Sequence, residues 1–232
     1  MSEIGEQAPL SATDRTRHRR LREQGRRHRA DLDAVLAAGF IAHLGLPAAG
    51  GGVMVIPTVY GTDGQTMYLH GSVASQSLEA DAPVCVTVTL VDGLVLARSV
   101  FEHAVNYRSA MIYAMPRIVT DPGEKLTGLR CLAEHVTPGQ WDYARQPSRK
   151  ELAATRLLAL GLDEASVKIR TGPPDADDAK HDGALGRWAG ELPLDSRWQQ
   201  PVPDPALPPG VPVPPHIQAL VGQQAGREQS RE

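Results

Sequence analysis

Cysteine is scarce in this 232-residue chain: Cys85 and Cys131 are the only two, and neither belongs to a Cys-x-x-Cys pair. That leaves no basis for a disulfide framework or a zinc knuckle, and both are expected to pack as small hydrophobic side chains. Long apolar runs are missing as well. No stretch approaches the roughly 20 apolar residues of a membrane helix, and Met1 to Leu10 has no apolar core of the signal-peptide kind, so a cytoplasmic location is expected. Standard catalytic signatures are also absent. There is no Gly-x4-Gly-Lys loop, GxGxxG turn, GxSxG elbow or HExxH pair, which argues against ATP hydrolysis, Rossmann-type binding and serine hydrolysis. His43, His70, His103 and His135 fall one per segment rather than at ligand spacing, so no metal site is expected.

What is present describes a soluble, loop-rich globular chain. Hydrophobic residues make up 41% and charged residues 22%, while 19 prolines and 22 glycines mark many connections as turns. The length suits one sizeable core with loose ends. Residues 1–16 are small and polar and are expected to be disordered, 17–194 form the domain, and 195–232 read as a Pro-rich tail in extended polyproline form. Net charge is only -3, yet Arg15, Arg17, Arg19, Arg20, Arg22, Arg26, Arg27 and Arg29 crowd together with His18 and His28. Such a run can grip phosphates. Without interleaved aromatics, and with an acidic remainder, it reads better as a solvated arm or a partner contact than as a nucleic-acid site.

Periodicity orders the domain. Leu32, Val35, Leu36 and Phe40 have helical spacing, with Asp31 as N-cap and Gly39 as stop. Six strands are predicted next, over 40–46, 53–60, 66–70, 84–91, 94–101 and 110–120, with Asp92-Gly93 as a two-residue hairpin turn. In the fourth of these, Thr87 and Thr89 share one face while Val86, Val88 and Leu90 share the other, so that strand should be half buried. A short helix is predicted over 72–80. Asp121-Pro122 opens a helix carrying Leu126, Leu129, Leu132 and Ala133, and a further helix is predicted over 148–160, capped by Ser148 and closed by Gly161. Residues 165–171 read as a last strand and 188–194 as a final extended segment.

Three segments could carry chemistry. In Tyr68-Leu69-His70-Gly71-Ser72-Val73-Ala74-Ser75-Gln76-Ser77 a strand ends in small residues and hydroxyls, a setting for either a phosphate cradle or a plain Ser cap. His103-Ala104-Val105-Asn106-Tyr107-Arg108-Ser109 is polar and basic just before an apolar strand, and either supplies a cation or faces water as a loop. Lys168, Arg170 and Thr171 carry the same ambiguity.

Taken together, Val53-Met54-Val55-Ile56-Pro57-Thr58-Val59-Tyr60, the Tyr-Leu-His-Gly-Ser-x-Ala-Ser run at 68–75, Asn106-Tyr107-Arg108-Ser109 and Trp188-Ala189-Gly190 resemble the pyridoxamine 5'-phosphate oxidase-like flavin-nucleotide-binding family, in the branch of the nitroimidazole-resistance reductases. The resemblance spans about residues 17–194 and implies a mainly β fold, a six-stranded antiparallel split barrel with flanking helices. It further implies a homodimer holding FMN at the subunit interface, with haem or a deazaflavin as the alternative cofactor, and a small-molecule electron donor or acceptor. By the same matching, Val55, Ile56, Pro57 and Thr58 would lie along the isoalloxazine edge. His70, Ser72, Ser75 and Gln76 would surround ribityl and phosphate, and Asn106, Arg108 and Ser109 would approach from the next hairpin. Where the family often has Lys or Arg after the His-Gly-Ser block this chain has Gln76 and Ser77, so phosphate binding falls to Arg108, Lys168 or Arg170. Trp188 would either stack near the ring from the neighbouring subunit or plug the barrel end. The reading is thus an FMN-dependent oxidoreductase with His70 as its one candidate proton donor, against a non-catalytic flavin or haem carrier. Pyridoxamine 5'-phosphate oxidation itself is disfavoured, because its basic phosphate-binding pattern is not matched.

Overall fold

Alternation along the strands is the rule that organises the structure, a computed structural model describing residues 9–48, 50–73 and 82–225. Val84, Val86 and Val88 are buried while Thr87 and Thr89 turn outward, as predicted. In chain order the elements are β1 (Gly25–Arg26), α1 (Arg29–Ala38), β2 (Ile41–Pro47), β3 (Val53–Thr62), β4 (Thr66–Ser72), β5 (Val84–Leu96), β6 (Ala104–Ala114) and β7 (Arg117–Ile118). There follow α2 (Pro122–Val136), α3 (Gln140–Tyr143), α4 (Arg149–Ala154), β8 (Thr155–Gly161), β9 (Ala165–Arg170), α5 (Ala176–Asp182), β10 (Gly190–Pro193) and α6 (Pro215–Leu220). The strands form one sheet ordered β1-β9-β6-β5-β2-β3-β4-β8-β7, with β10 on β5. Every strand pair in it is antiparallel.

Two cores fill it. In the larger, Leu32, Val35 and Leu36 of α1 pack among Leu44, Val86, Ile112, Leu158, Leu160 and Val167; each such fully buried side chain contributes about 1.5–3 kcal/mol. In the smaller, Tyr68, Leu157 and Ala159 meet Val119 and Leu132 beneath α2. The β4 and β8 ribbon therefore buries both faces, feeding Met67, Leu69, Leu158 and Leu160 to one core and Tyr68, Leu157 and Ala159 to the other. Two glycines let α2 approach this closely. A Cβ at Gly61 would stand 2.4 Å from the Cys131 and Leu132 backbone, and one at Gly128 would stand 2.5 Å from Leu157 Cδ2. Asp121 caps α2 as predicted, accepting the Glu124 N–H at 2.7 Å.

Several expectations need correction. Among the described residues the sheet has ten strands, where the sequence predicts six over 40–120 and one more over 165–171, the latter matched by β9. Asp92-Gly93 is not a hairpin turn: β5 runs straight through it, with a bulge between Val91 and Gly93, and the chain reverses later, through the short 3-10 turn Val100–Glu102. Consequently Asn106, Arg108 and Ser109 lie inside β6 rather than in a loop before it. The helix predicted over 148–160 stops at Ala154, and Thr155–Gly161 is the strand β8. Asp31 lies in the first turn of α1, which begins at Arg29 after the N-cap His28. The short helix predicted over 72–80 falls largely on residues outside the described ones.

Both ends, expected to be loose, make contacts where they are described. Thr13 Oγ1 donates to Glu164 Oε1 at 2.6 Å, and Arg15 pairs with the same carboxylate. Trp198 lies 5.8 Å from Phe40 between ring centroids, and His216 Nε2 is 2.9 Å from Gln140 Oε1. Among the described residues no helix is long and apolar enough to cross a membrane.

Candidate functional site

The decisive local feature is where β3 and β4 part company. β3 pairs with β2 from Val53 to Val59, but with β4 only at Tyr60, Gly61 and Thr62, opposite Leu69, Tyr68 and Met67. Beyond that point β4 continues on β8 alone, matching His70 to Leu157, Gly71 to Arg156 and Ser72 to Thr155. A cleft therefore opens between Val53–Val59 and His70–Ser72, and among the described residues no strand covers this edge of β3. Backbone N–H and C=O groups along such an edge need partners, from water or from a ligand that presents donors and acceptors in a row.

The walls are apolar and open. Val53 is 77% exposed and Val55 60%, while Ile56 leans into the main core and Pro57, which has no N–H to offer, faces out. Thr58 Oγ1 donates to the Val59 carbonyl at 3.1 Å. Across the gap His70 and Ser72 are exposed on one face of β4. Neighbouring atoms partly desolvate the His70 ring and lower its pKa below the usual histidine value, so the imidazole is neutral at pH 7.

A buried clasp fixes the point of parting. Tyr60, the first β3 residue to pair with β4, has no exposed surface, and its hydroxyl lies 2.7 Å from the Leu36 carbonyl and 2.8 Å from that of Gly39, at the end of α1. His135 of α2 reaches the same Gly39 carbonyl through Nε2 at 2.7 Å, and its ring lies 4.6 Å from that of Tyr60. Desolvation lowers the His135 pKa and raises that of Tyr60, which keeps both neutral.

Within one chain the remaining expected residues do not converge on this cleft. Arg108 gives its fork to Asp92, with Nε and Nη2 at 3.0 and 2.7 Å from the two carboxylate oxygens. Asn106, only 6% exposed, donates to Glu191 Oε2 at 2.7 Å and to the Gly172 carbonyl, and accepts from Arg170. That cluster ties β6, β9 and β10 together. Ser109 and Lys168 sit opposite each other on β6 and β9. Trp188, 68% exposed, precedes β10, at the far end of β5. Ser75 and Gln76 lie outside the described residues. The cation that strand register places beside His70-Gly71-Ser72 is Arg156, which sequence reasoning missed because it stood inside the helix predicted over 148–160. Among the described residues no three His, Cys, Asp or Glu gather as a metal site.

Comparison with known proteins bears on the fold and its lineage. The pyridoxamine 5'-phosphate oxidase family matches residues 28–169, more than half of the chain. The chain belongs to this family. Two solved members resemble it over nearly their whole length. The flavocytochrome Anf3 from Azotobacter vinelandii is 35% identical, with a TM-score of 0.83, covering 90% of this chain and 98% of its own. The FAD and heme binding protein from Mycobacterium smegmatis is also 35% identical, with a TM-score of 0.82, covering 88% and 100%. A 5-nitroimidazole antibiotic resistance protein from Bacteroides thetaiotaomicron, described as putative, shares the fold at 19% identity and a TM-score of 0.54, over 62% of this chain and 86% of its own. No functionally curated protein matches the sequence. The split-barrel fold of these relatives agrees with the antiparallel sheet and flanking helices seen here, and the parting of β3 from β4 is where that sheet splits.

Proposed function

We propose that this protein binds a flavin in the cleft between β3 and β4 and acts as a flavin-dependent oxidoreductase. The observation that carries the reading is the uncovered edge of Val53–Val59 facing His70-Gly71-Ser72. An isoalloxazine has a polar pyrimidine edge and a flat apolar body, which suits a row of free backbone groups beside Val55, Ile56 and Pro57. When bound, the flavin supplies hydride or single-electron chemistry. The chain's own part is to align that edge, to shield the ring with β3, and to hold a neutral imidazole at His70 that can accept a proton and pass it on. Ser72 and Arg156 stand on the side where ribityl and phosphate would lie. Both FMN, expected from the sequence, and FAD, named for the Mycobacterium smegmatis relative, fit an open cleft of this kind.

A homodimer completes the proposal. Strand register puts Val55, Pro57, Ile41 and Met111 on the outer face of the sheet, opposite the main core, and Ile41 and Met111 are exposed there as well. An apolar sheet face of that kind marks an association surface. Trp188 and the β9 residues Lys168 and Arg170 would meet a flavin only across such an interface.

Haem, as the alternative use of His70, is favoured by a specific feature. His70 is exposed and desolvation lowers its pKa, so an unprotonated ring nitrogen is available to an iron. Both relatives at 35% identity carry haem or cytochrome in their names.

The test is the visible spectrum of the purified protein before and after adding FMN or FAD, followed by denaturation and mass identification of the released chromophore. Flavin bands near one per chain, bleached by a nicotinamide cofactor, support the oxidoreductase; flavin retained without turnover leaves a carrier. A colourless protein that takes up neither flavin overturns the reading. A Soret band lost in His70→Ala while flavin bands persist would assign the haem ligand.

A further inference from the structure

The basic run found in the sequence does not end as a loose arm. Its Arg17, His18, Arg22, Arg26 and Arg27 fold back on β9 and line a cavity of about 360 Å³, closed on the other sides by Leu10, Ser11, Ala12, Thr16, Ala165 and Ser166. That volume lies at the small-ligand end of the usual range, about 300–1,000 Å³.

No carboxylate lines the cavity. Glu164 beside it is taken by Arg15 and Thr13, and Asp14 pairs with Arg17 at 3.2 Å where both are exposed. Arg26 donates to the backbone carbonyls of Glu23 and Gly25, while Arg22 and Arg27 have no acidic partner among the described residues. Cations gathered this way repel one another, and an anion between them relieves that repulsion.

The arm is built to hold this arrangement. Leu21 takes a left-handed backbone conformation, φ 51°, which an L side chain adopts only when the surrounding structure enforces it, and the turn it makes presents Arg22. Gly25 lies flat against the His18 ring: a Cβ there would stand 2.3 Å from it. β1 then pairs Gly25 with Lys168 and Arg26 with Val167, anchoring the arm to the sheet, and Leu10 N donates to the Arg27 carbonyl at 2.8 Å. Burial pushes the His18 pKa down, and the nearby Lys168 and Arg27 lower it further.

We propose that this cavity binds the phosphate or diphosphate group of a small molecule, through Arg22, Arg27, His18 and the hydroxyls of Ser11 and Ser166. Guanidinium groups match phosphate oxygens in bidentate fashion, and the hydroxyls supply neutral donors beside them. Leu10, Ala12 and Ala165 give the apolar wall that a phosphate ester's body would cover. Its volume of about 360 Å³ suits one phosphate ester rather than a run of polymer phosphates, so a nucleic acid is the disfavoured occupant. The diphosphate has two sources, a free nucleotide-like metabolite or the diphosphate of a dinucleotide flavin.

Calorimetric titration of the full-length protein with inorganic pyrophosphate, at fixed ionic strength, tests it. The wild type should bind, and Arg22→Gln with Arg27→Gln should weaken binding at least tenfold while the circular dichroism and melting temperature stay as in the wild type. Gly25→Ala, which displaces His18 and leaves the guanidinium groups in place, should weaken it by a smaller factor. Binding that survives in the double variant, or an absence of pyrophosphate binding in the wild type before and after removal of any bound chromophore, overturns the proposal. Pyrophosphate binding seen only after chromophore removal assigns the site to a dinucleotide flavin; binding in the protein as purified assigns it to a free metabolite. A DNA duplex binding with steep salt dependence while pyrophosphate fails to compete would also overturn it.

Discussion

Removing one oxygen atom should loosen the whole cleft. Tyr60→Phe deletes the hydroxyl that reaches the Leu36 and Gly39 carbonyls at 2.7 and 2.8 Å, in a site with no solvent access. Because that hydroxyl has one proton, it satisfies one carbonyl strongly or two in part. After the substitution Gly39 keeps His135 as donor, whereas Leu36 loses its side-chain partner. The expected loss is about 1–2 kcal/mol, that of one buried neutral hydrogen bond. For a chain of this length that is a fall of about 2–8 °C in melting temperature. Differential scanning calorimetry reads it directly. Since Tyr60 is the residue at which β3 leaves β4, the same variant should also bind flavin more weakly, by a few fold in a fluorescence titration. A melting temperature within about 1 °C of the wild type would show that the hydroxyl bridge carries no net stability and that no such clasp operates.

Other outcomes follow from the same geometry. His135 and His70 both have folded pKa values lowered by desolvation, so below about pH 6.5 the unfolded chain binds more protons than the folded one. Stability should be full above that pH and decline as pH falls through the folded values; His135→Gln should flatten the decline in urea titrations run from pH 7 to 5, and an unchanged slope would remove His135 as its source. Arg108→Ala should cost at most about 1 kcal/mol, because its partner Asp92 is itself partly solvated, and should leave flavin affinity within twofold; a larger loss of flavin would mean that Arg108 leaves Asp92 for the cofactor. Gly61→Ala places a methyl 2.4 Å from the α2 backbone and should destabilise by about 3 kcal/mol or more, seen as poor soluble yield or a marked fall in melting temperature.

How far the sequence is legible depends on what each residue's neighbours do. The strand of Val84, Val86 and Val88 has one face on the core and one away from it, so its period of two survives in the sequence. The α2 start is legible because Asp121 and Pro122 act locally. β8 is not, because Leu157, Leu158, Ala159 and Leu160 are all buried, alternating between two cores, and a run without polar residues has no period to read. Asp92-Gly93 suits a hairpin and a bulge equally well; what decides between them is Arg108 on the neighbouring strand and β10 on the other side, both remote in sequence. The cleft shares this character. Its segments, 53–59 and 70–72, stand out in the sequence by family resemblance, but the fact that they face one another without pairing is a property of register, which no local pattern records. The basic run reads as a solvated arm because nothing in its composition announces the cavity it builds with Ala165 and Ser166.

The pairing of β4 with β8 also bears on how the protein is made. Thr66 pairs with Gly161 and Ser72 with Thr155, so one wall of the cleft waits for its partner strand through roughly ninety further residues of synthesis. Until then Met67, Leu69 and Tyr68 have apolar surface on both sides of a strand that nothing yet covers. Pairings between such distant segments are slow to form. The cleft therefore exists only once synthesis has passed β8, and a cofactor that binds there acts as a latch on a sheet whose strands β2 to β8 are already made, rather than as a template for them.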